Sequence, residues 1–207
     1  MVHADLTDAA AGAHIRVEYV VTGVEPGASV PATILTFGSS RPSGLRVGAA
    51  GAPADFSPGP GRAHIVELPV EMGPSGDAWV VAEYTIASPF REDGQVLRGH
   101  LPVLSLDLAP DESRPGLFSA EVIVPAHWTV SEAFPTGLRE ASRGEERRTW
   151  SVELSVVPAT ISFRVHTDGR WHAGLPFVLD VLAALIIVGF SYFGWRHLRQ
   201  TPGEDPS

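Results

Sequence analysis

The sequence predicts a mainly β fold, an antiparallel, immunoglobulin-like β-sandwich, followed by one C-terminal transmembrane helix. Three observations predict it. Short runs of alternating apolar and polar residues recur from Ala13 to Thr167, the period of strands with one buried face. Glycine (21) and proline (18) are frequent and fall between those runs, which favours turns over long helices. Near the end of the chain, Gly174 to Trp195 is apolar almost throughout.

The strand candidates follow in order. "HIRVEYVV" (His14 to Val21), "ATILTF" (Ala32 to Phe37), "GLRV" (Gly44 to Val47), "RAHIVELPV" (Arg62 to Val70) and "AWVVAEYTIA" (Ala78 to Ala87) form a first group. "LPVLSLDL" (Leu101 to Leu108), "LFSAEVIVP" (Leu117 to Pro125), "WTVSEAF" (Trp128 to Phe134), "TWSVELSVV" (Thr149 to Val157) and "TISFRVHT" (Thr160 to Thr167) form a second. Alternation assigns Ile15, Val17, Tyr19, Ile34, Val80, Ala82, Tyr84, Ile86, Val122 and Val124 to the core. The external domain spans 13–168. Whether it is one sandwich or two subdomains split near 108–116 is open from the sequence.

The segment Gly174 to Trp195 has 22 residues, about 33 Å as a helix, against a hydrocarbon core of about 30 Å. Trp171, Tyr192 and Trp195 stand where interfacial aromatic anchors belong. Arg196 and Arg199 follow directly, while residues 1–173 hold 13 arginines against 21 acids. The positive-inside rule therefore expects the tail 196–207 in the cytoplasm and the β-domain in the periplasm of a bacterial inner membrane. In the N-terminal segment 1–12, Val2 and Ala4 match the small-residue pattern of signal-peptidase cleavage, which predicts a cut after Ala4 in a longer precursor.

Asp180 is the one formal charge in the apolar segment. A carboxylate there costs up to about 2.5–3.5 kcal/mol and seeks a donor. Steps of three and four from it reach Ala183, Ala184, Ile187, Ser191 and Gly194, a stripe mostly of small or polar residues that lets a second helix approach closely. The expected partners are other membrane-protein subunits and the lipid bilayer.

The remaining chemistry is mostly excluded. The chain of 207 residues has a formal net charge of −9, no lysine and no cysteine. Disulfides, thiolate metal sites and cysteine nucleophiles are therefore absent, and no basic patch suits nucleic acid. The eight histidines form no H-x-x-x-H or H-E-x-x-H pattern, and His14 and His166 read as residues of polar strand faces. No G-x-S-x-G elbow or phosphate loop is present. "REASRGEERR" (Arg139 to Arg148) reads as a solvated hairpin loop between the strands ending at Phe134 and starting at Thr149. The sequence thus predicts no catalytic, metal or cofactor residues. It predicts a non-catalytic accessory subunit of a larger membrane complex, such as a respiratory or photosynthetic assembly, whose β-domain and helix both touch partners. The alternative is a membrane-anchored binding or sensing module, against which the short tail "RHLRQTPGEDPS" argues.

Overall fold

The computed structural model describes residues 1–8, 12–36, 41–73, 75–93, 96–108 and 118–167. The chain divides into two compact units, Met1–Asp168 and Gly169–Ser207, and all described residues belong to the first. The predicted membrane segment Gly174–Trp195 and its flanks lie outside the described residues. No helix among the described residues is long and apolar enough to cross a membrane.

Every regular element described is a strand. In chain order they are β1 (Val2–Asp5), β2 (Ala13–Val21), β3 (Ser29–Leu35), β4 (Pro42–Val47), β5 (Ala52–Pro53), β6 (Ser57–Pro58), β7 (Ala63–Pro69), β8 (Glu71–Met72) and β9 (Ala78–Ile86). Then come β10 (Phe90–Asp93), β11 (Val96–Pro102), β12 (Leu104–Leu106), β13 (Phe118–Pro125), β14 (Trp128–Phe134), β15 (Arg139–Arg143), β16 (Arg147–Leu154) and β17 (Thr160–Thr167). A nine-stranded sheet runs β15-β16-β13-β1-β2-β9-β4-β5, with β8 on β9. Two four-stranded sheets run β10-β11-β17-β14 and β12-β3-β7-β6.

One hydrophobic cluster draws on all three sheets. In the large sheet its inward rows are read directly from the register. Val152, Ala120, Val2, Val17, Ala82 and Val47 lie in line across six strands. The next row holds Trp150, Val122, Ala4, Ile15 and Tyr84. Both rows mix small and large side chains, which helps facing layers interdigitate. The predicted core residues are buried, with Tyr19 packed at its margin.

The outward face of the same sheet carries charge. Directly opposite neighbours are Arg139, Ser151, Glu121, His3, Arg16, Glu83 and Arg46, in that order across seven strands. Acids and bases interleave, so cross-strand neighbours attract. Arg16 bonds Glu18 at 2.7 Å and also Glu83, and His3 meets Glu121 at 3.3 Å.

The two smaller sheets are joined end to end by one stretch of chain. The run Val96 to Leu106 belongs to one sheet as β11, breaks at Val103, and enters the other as β12. Tyrosines of the large sheet hold the break. The Tyr84 hydroxyl donates to the Pro102 carbonyl at 2.9 Å and accepts the Leu104 amide at 3.2 Å. The Tyr19 hydroxyl donates to the Leu104 carbonyl. The Val103 amide donates to Ala159 O at 3.0 Å. The polar backbone groups that the break exposes are thereby paired, as burial requires.

Several expectations need correction. Leu101–Leu108 is two strands, because Pro102 and the following change of sheet interrupt it. The large sheet is not purely antiparallel, since β1 runs parallel to β13. Val2 and Ala4 sit in the middle of that sheet with 1% and 0% exposure, and the expected cut after Ala4 falls within β1. The Arg139–Arg148 run is a pair of strands, not a loop. It forms the β15–β16 hairpin, closed by the Gly144 amide donating to Arg147 O at 2.9 Å. Glu140 and Arg143 bond bidentately across its surface at 2.6 and 2.9 Å. The strand ending at Phe134 pairs with β17 instead.

Burial raises the pKa of both tyrosine hydroxyls well above the ordinary range, and at Tyr84 the neighbouring Tyr19 adds to the effect. Each folded pKa lies above its unfolded value. The linked stability is therefore complete below the unfolded tyrosine value of about 10 and is lost as pH rises beyond it. In an ultraviolet titration, Tyr19 and Tyr84 are expected to stay protonated where free tyrosine ionises and to titrate only as the fold opens. Smooth ionisation of all tyrosines near the free value would contradict this placement. Tyr84→Phe leaves a buried carbonyl and a buried amide without their partner, and each costs about 1–3 kcal/mol. Denaturant unfolding should show a loss in that range or above, and a loss below 0.5 kcal/mol, roughly the floor for one hydrogen bond, would refute the joint's importance.

Candidate functional site

The outward face of β10-β11-β17-β14 combines a shallow indentation with a row of like charges. Its register is set by three pairings. Arg91 lies opposite Arg98, Arg98 opposite Arg164, and Arg164 opposite Glu132. Three arginines thus stand side by side on three neighbouring strands. Strand spacing of about 4.8 Å puts the outer two roughly 10 Å apart. The next row toward the start of β17 is His100, Ser162 and Phe134.

A β-bulge shapes the β14 side. The register slips between Val130 and Glu132, so Ser131 is an extra residue. Before the slip Trp128 points inward; after it Ala133 opposes inward Phe163. Strict alternation from Trp128 would have carried Glu132 and Phe134 into the core. The bulge turns both outward, a common use of this irregularity. Glu132 then meets Arg164 at 2.9 Å, and Phe134 stands 58% exposed. The Phe134–Pro135 peptide is cis.

Beneath the face lies an aromatic cluster that depends on one missing side chain. Phe90 meets Trp128 edge-on at 5.0 Å and 89°, and meets Phe163 at 6.0 Å and 73°. These are favourable T-shaped pairs. Both phenylalanine rings pack over Gly99. A Cβ there would stand 2.9 Å from the Phe163 ring and 3.0 Å from the Phe90 ring. The result on the outside is a shallow groove of about 240 Å³ lined by Arg98, His100, Glu132, Phe134, Ser162 and Arg164.

The predicted helix-packing residues Asp180, Ala183, Ala184, Ile187, Ser191 and Gly194 lie outside the described residues. So do the predicted anchors Trp171, Tyr192, Trp195, Arg196 and Arg199. His14 and His166 are exposed on outward strand positions, as alternation predicts. Among the described residues, no group of three or more histidines and acids is placed to hold a metal.

The arginine row was not singled out in the sequence, although part of the signal was there. Gly94-Gln95 between two strand-like runs is a hairpin cue, since a leading glycine suits a two-residue turn. A two-residue connection pairs Asp93 with Val96 and hence Arg91 with Arg98. The third member, Arg164, is 66 residues further on than Arg98, and only sheet register brings it alongside.

No family model matches the chain, and no curated protein matches its sequence.

Gly99→Ala should destabilise the domain by about 1–3 kcal/mol, the usual cost of forcing rigid groups apart in a packed core. It should also alter the near-ultraviolet circular dichroism of the aromatic cluster. Alanine normally improves a strand over glycine, so a gain in stability with an unchanged spectrum would show that the rings can yield.

Proposed function

We propose that this chain is a non-catalytic, single-pass accessory subunit of a larger membrane-protein complex in a bacterial inner membrane. In this reading Gly174–Trp195 spans the bilayer, the tail is cytoplasmic, and the β-domain is a periplasmic sandwich with immunoglobulin-like layering. A respiratory or photosynthetic assembly suits that topology. The Asp180 stripe packs on a partner helix, and the β10-β11-β17-β14 face is the contact surface of the domain.

The observation that carries the reading is the row Arg91, Arg98 and Arg164. Like charges directly opposite on adjacent strands weaken a sheet. The outward row Glu121, His3, Arg16, Glu83 and Arg46 of the large sheet mixes acids and bases, whereas Arg91, Arg98 and Arg164 run together. An acidic partner surface suits such a row, beside the Glu132 carboxylate that already pairs with Arg164. The groove is also smaller than the roughly 300–1,000 Å³ typical of ligand cavities and is open to solvent. Both features suit docking more than catalysis or enclosure of a substrate. The same groove gives the runner-up, a membrane-anchored module that binds or senses a small anion, its supporting observation.

A mild-detergent pull-down of the native protein, repeated with Asp180→Leu, separates these readings. The expected result is recovery in a defined complex that the substitution weakens. Recovery of the protein alone would favour the binding module. A complex indifferent to the substitution would move the contact from the helix to the β-domain.

A further inference from the structure

We propose that the free edge of β14 takes up an extended, carboxylate-bearing segment of the partner subunit, and that Arg148 is the strap this segment displaces. This deepens the accessory-subunit reading and rests on it, since β14 borders the face assigned above to the partner.

β14 ends its sheet, so one side of it has no neighbouring strand among the described residues. Such an edge offers a row of backbone donors and acceptors. Adding a strand there is a recurrent mode of recognition, in which main-chain bonds give affinity and side chains give specificity. One side chain lies across this edge. Arg148 of β16 stands opposite Val124, which is 0% exposed, and so starts on the inward face of the large sheet. Thr129 stands opposite exposed His166 and belongs to the outward face of β14. Arg148 Nη1 nevertheless donates to Thr129 Oγ1 at 3.3 Å. To reach it, the guanidinium passes around the β14 edge. The Ala126 amide, donating to Glu146 O at 3.0 Å, closes the same flank just before the strand.

The strap is weakly held. Its bond to Thr129 is long, and it is the one hydrogen bond Arg148 makes among the described residues. Arg148 Nε is buried with no acceptor, and so is Nε1 of Trp150, two residues along on the same face. Glu140 stands opposite Trp150, but both of its oxygens bond Arg143. A buried donor left unpaired costs more than an ordinary hydrogen bond gains. A guard that served only to block the edge would have its donors met; here they are left wanting, and lifting Arg148 relieves them. The missing chemistry is an acceptor, and a carboxylate supplies two oxygens in the spacing a guanidinium matches. A strand entering along β14 with an aspartate or glutamate beside Arg148 therefore exchanges one long bond for a charge-assisted pair, and adds main-chain bonds to the edge that Arg148 uncovers.

The test compares the full chain alone in mild detergent with the same chain in its native complex, by hydrogen exchange resolved to single amides. In the complex, β14 is expected to exchange more slowly than in the isolated chain, and to be slowed more than β10 at the opposite edge of the sheet. In the isolated chain, Arg148→Ala should speed exchange along β14. Trp150→Phe, which removes a donor that has no partner, should leave the melting temperature unchanged or raised. In the complex, Arg148→Ala should hasten dissociation about tenfold, and circular dichroism checks that both variants stay folded. A complex in which β14 is slowed no more than β10 overturns the proposal and leaves the accessory-subunit reading standing. Unchanged β14 exchange in isolated Arg148→Ala overturns the strap, and unchanged dissociation overturns the carboxylate. Protection of β14 that rises with the concentration of the isolated chain gives the edge to a second copy and overturns the partner segment. If no complex is recovered, the accessory-subunit reading fails and the proposal falls with it.

Discussion

The Tyr84 hydroxyl, bonded at once to Pro102 O and Leu104 N, is the contact on which the arrangement of the layers depends. The two small sheets share only one continuous stretch of chain, and it changes sheets at a single residue, Val103. Such a joint leaves a carbonyl and an amide without ladder partners inside the core. Water cannot reach them, so a side chain must. Tyr84 is suited because its ring is long enough to cross the core while its tip both donates and accepts. Its position opposite Ile15, in an inward row of the large sheet, transfers the register of that sheet to the layer it faces. Tyr19 repeats the connection two inward rows away. Two hydroxyls thus do for this core what a disulfide often does for exported β-domains, in a chain that has no cysteine.

Charge is distributed with equal regularity but to different ends on the two solvent faces. On the outward face of the large sheet Arg16 and Arg46 both lie opposite Glu83, and His3 lies opposite Glu121. Exposed pairs of this kind add little to stability, about 0–1 kcal/mol each; their effect is to leave no field for a partner to read. On the β10-β11-β17-β14 sheet Arg91, Arg98 and Arg164 adjoin one another by register, with Glu132 beside Arg164. The aromatic cluster beneath that face then has a second use. Gly99 draws Phe90 and Phe163 close under the arginine row, and a rigid base keeps the cations in fixed relative positions.

What could be read from the sequence followed from period and punctuation. Alternation located ten of the strands and assigned Ile15, Val17, Tyr84 and Val122 to the core correctly. It failed where a strand's reason for existing is not in its own residues. β1 is four residues with no strong strand signature; it exists because Val2 and Ala4 fit between Val17 and Ile15 on one side and Ala120 and Val122 on the other. β15 is masked by its charges, which suit an edge strand exposed to water. Phe134 illustrates a third failure: a bulge reverses the phase of alternation, and no local residue announces it. The arginine row was legible only as far as one hairpin reaches, because its last member arrives through long-range pairing.

The placement of β1 also bears on the order in which the molecule can form. Its pairing with β2 closes a short loop, but its pairing with β13 joins Val2 to Ala120. One side of the chain's first strand therefore stays unpaired until more than a hundred residues have followed it. Long-range contacts of this kind slow folding, since closing the intervening loop costs entropy before any contact rewards it. During that interval the first strand presents an open edge with Val2 and Ala4 uncovered, the kind of surface that invites pairing with the wrong chain. The seam that unites the large sheet thus closes the longest loop within it, and the interval before closure is when the chain has most to gain from a chaperone.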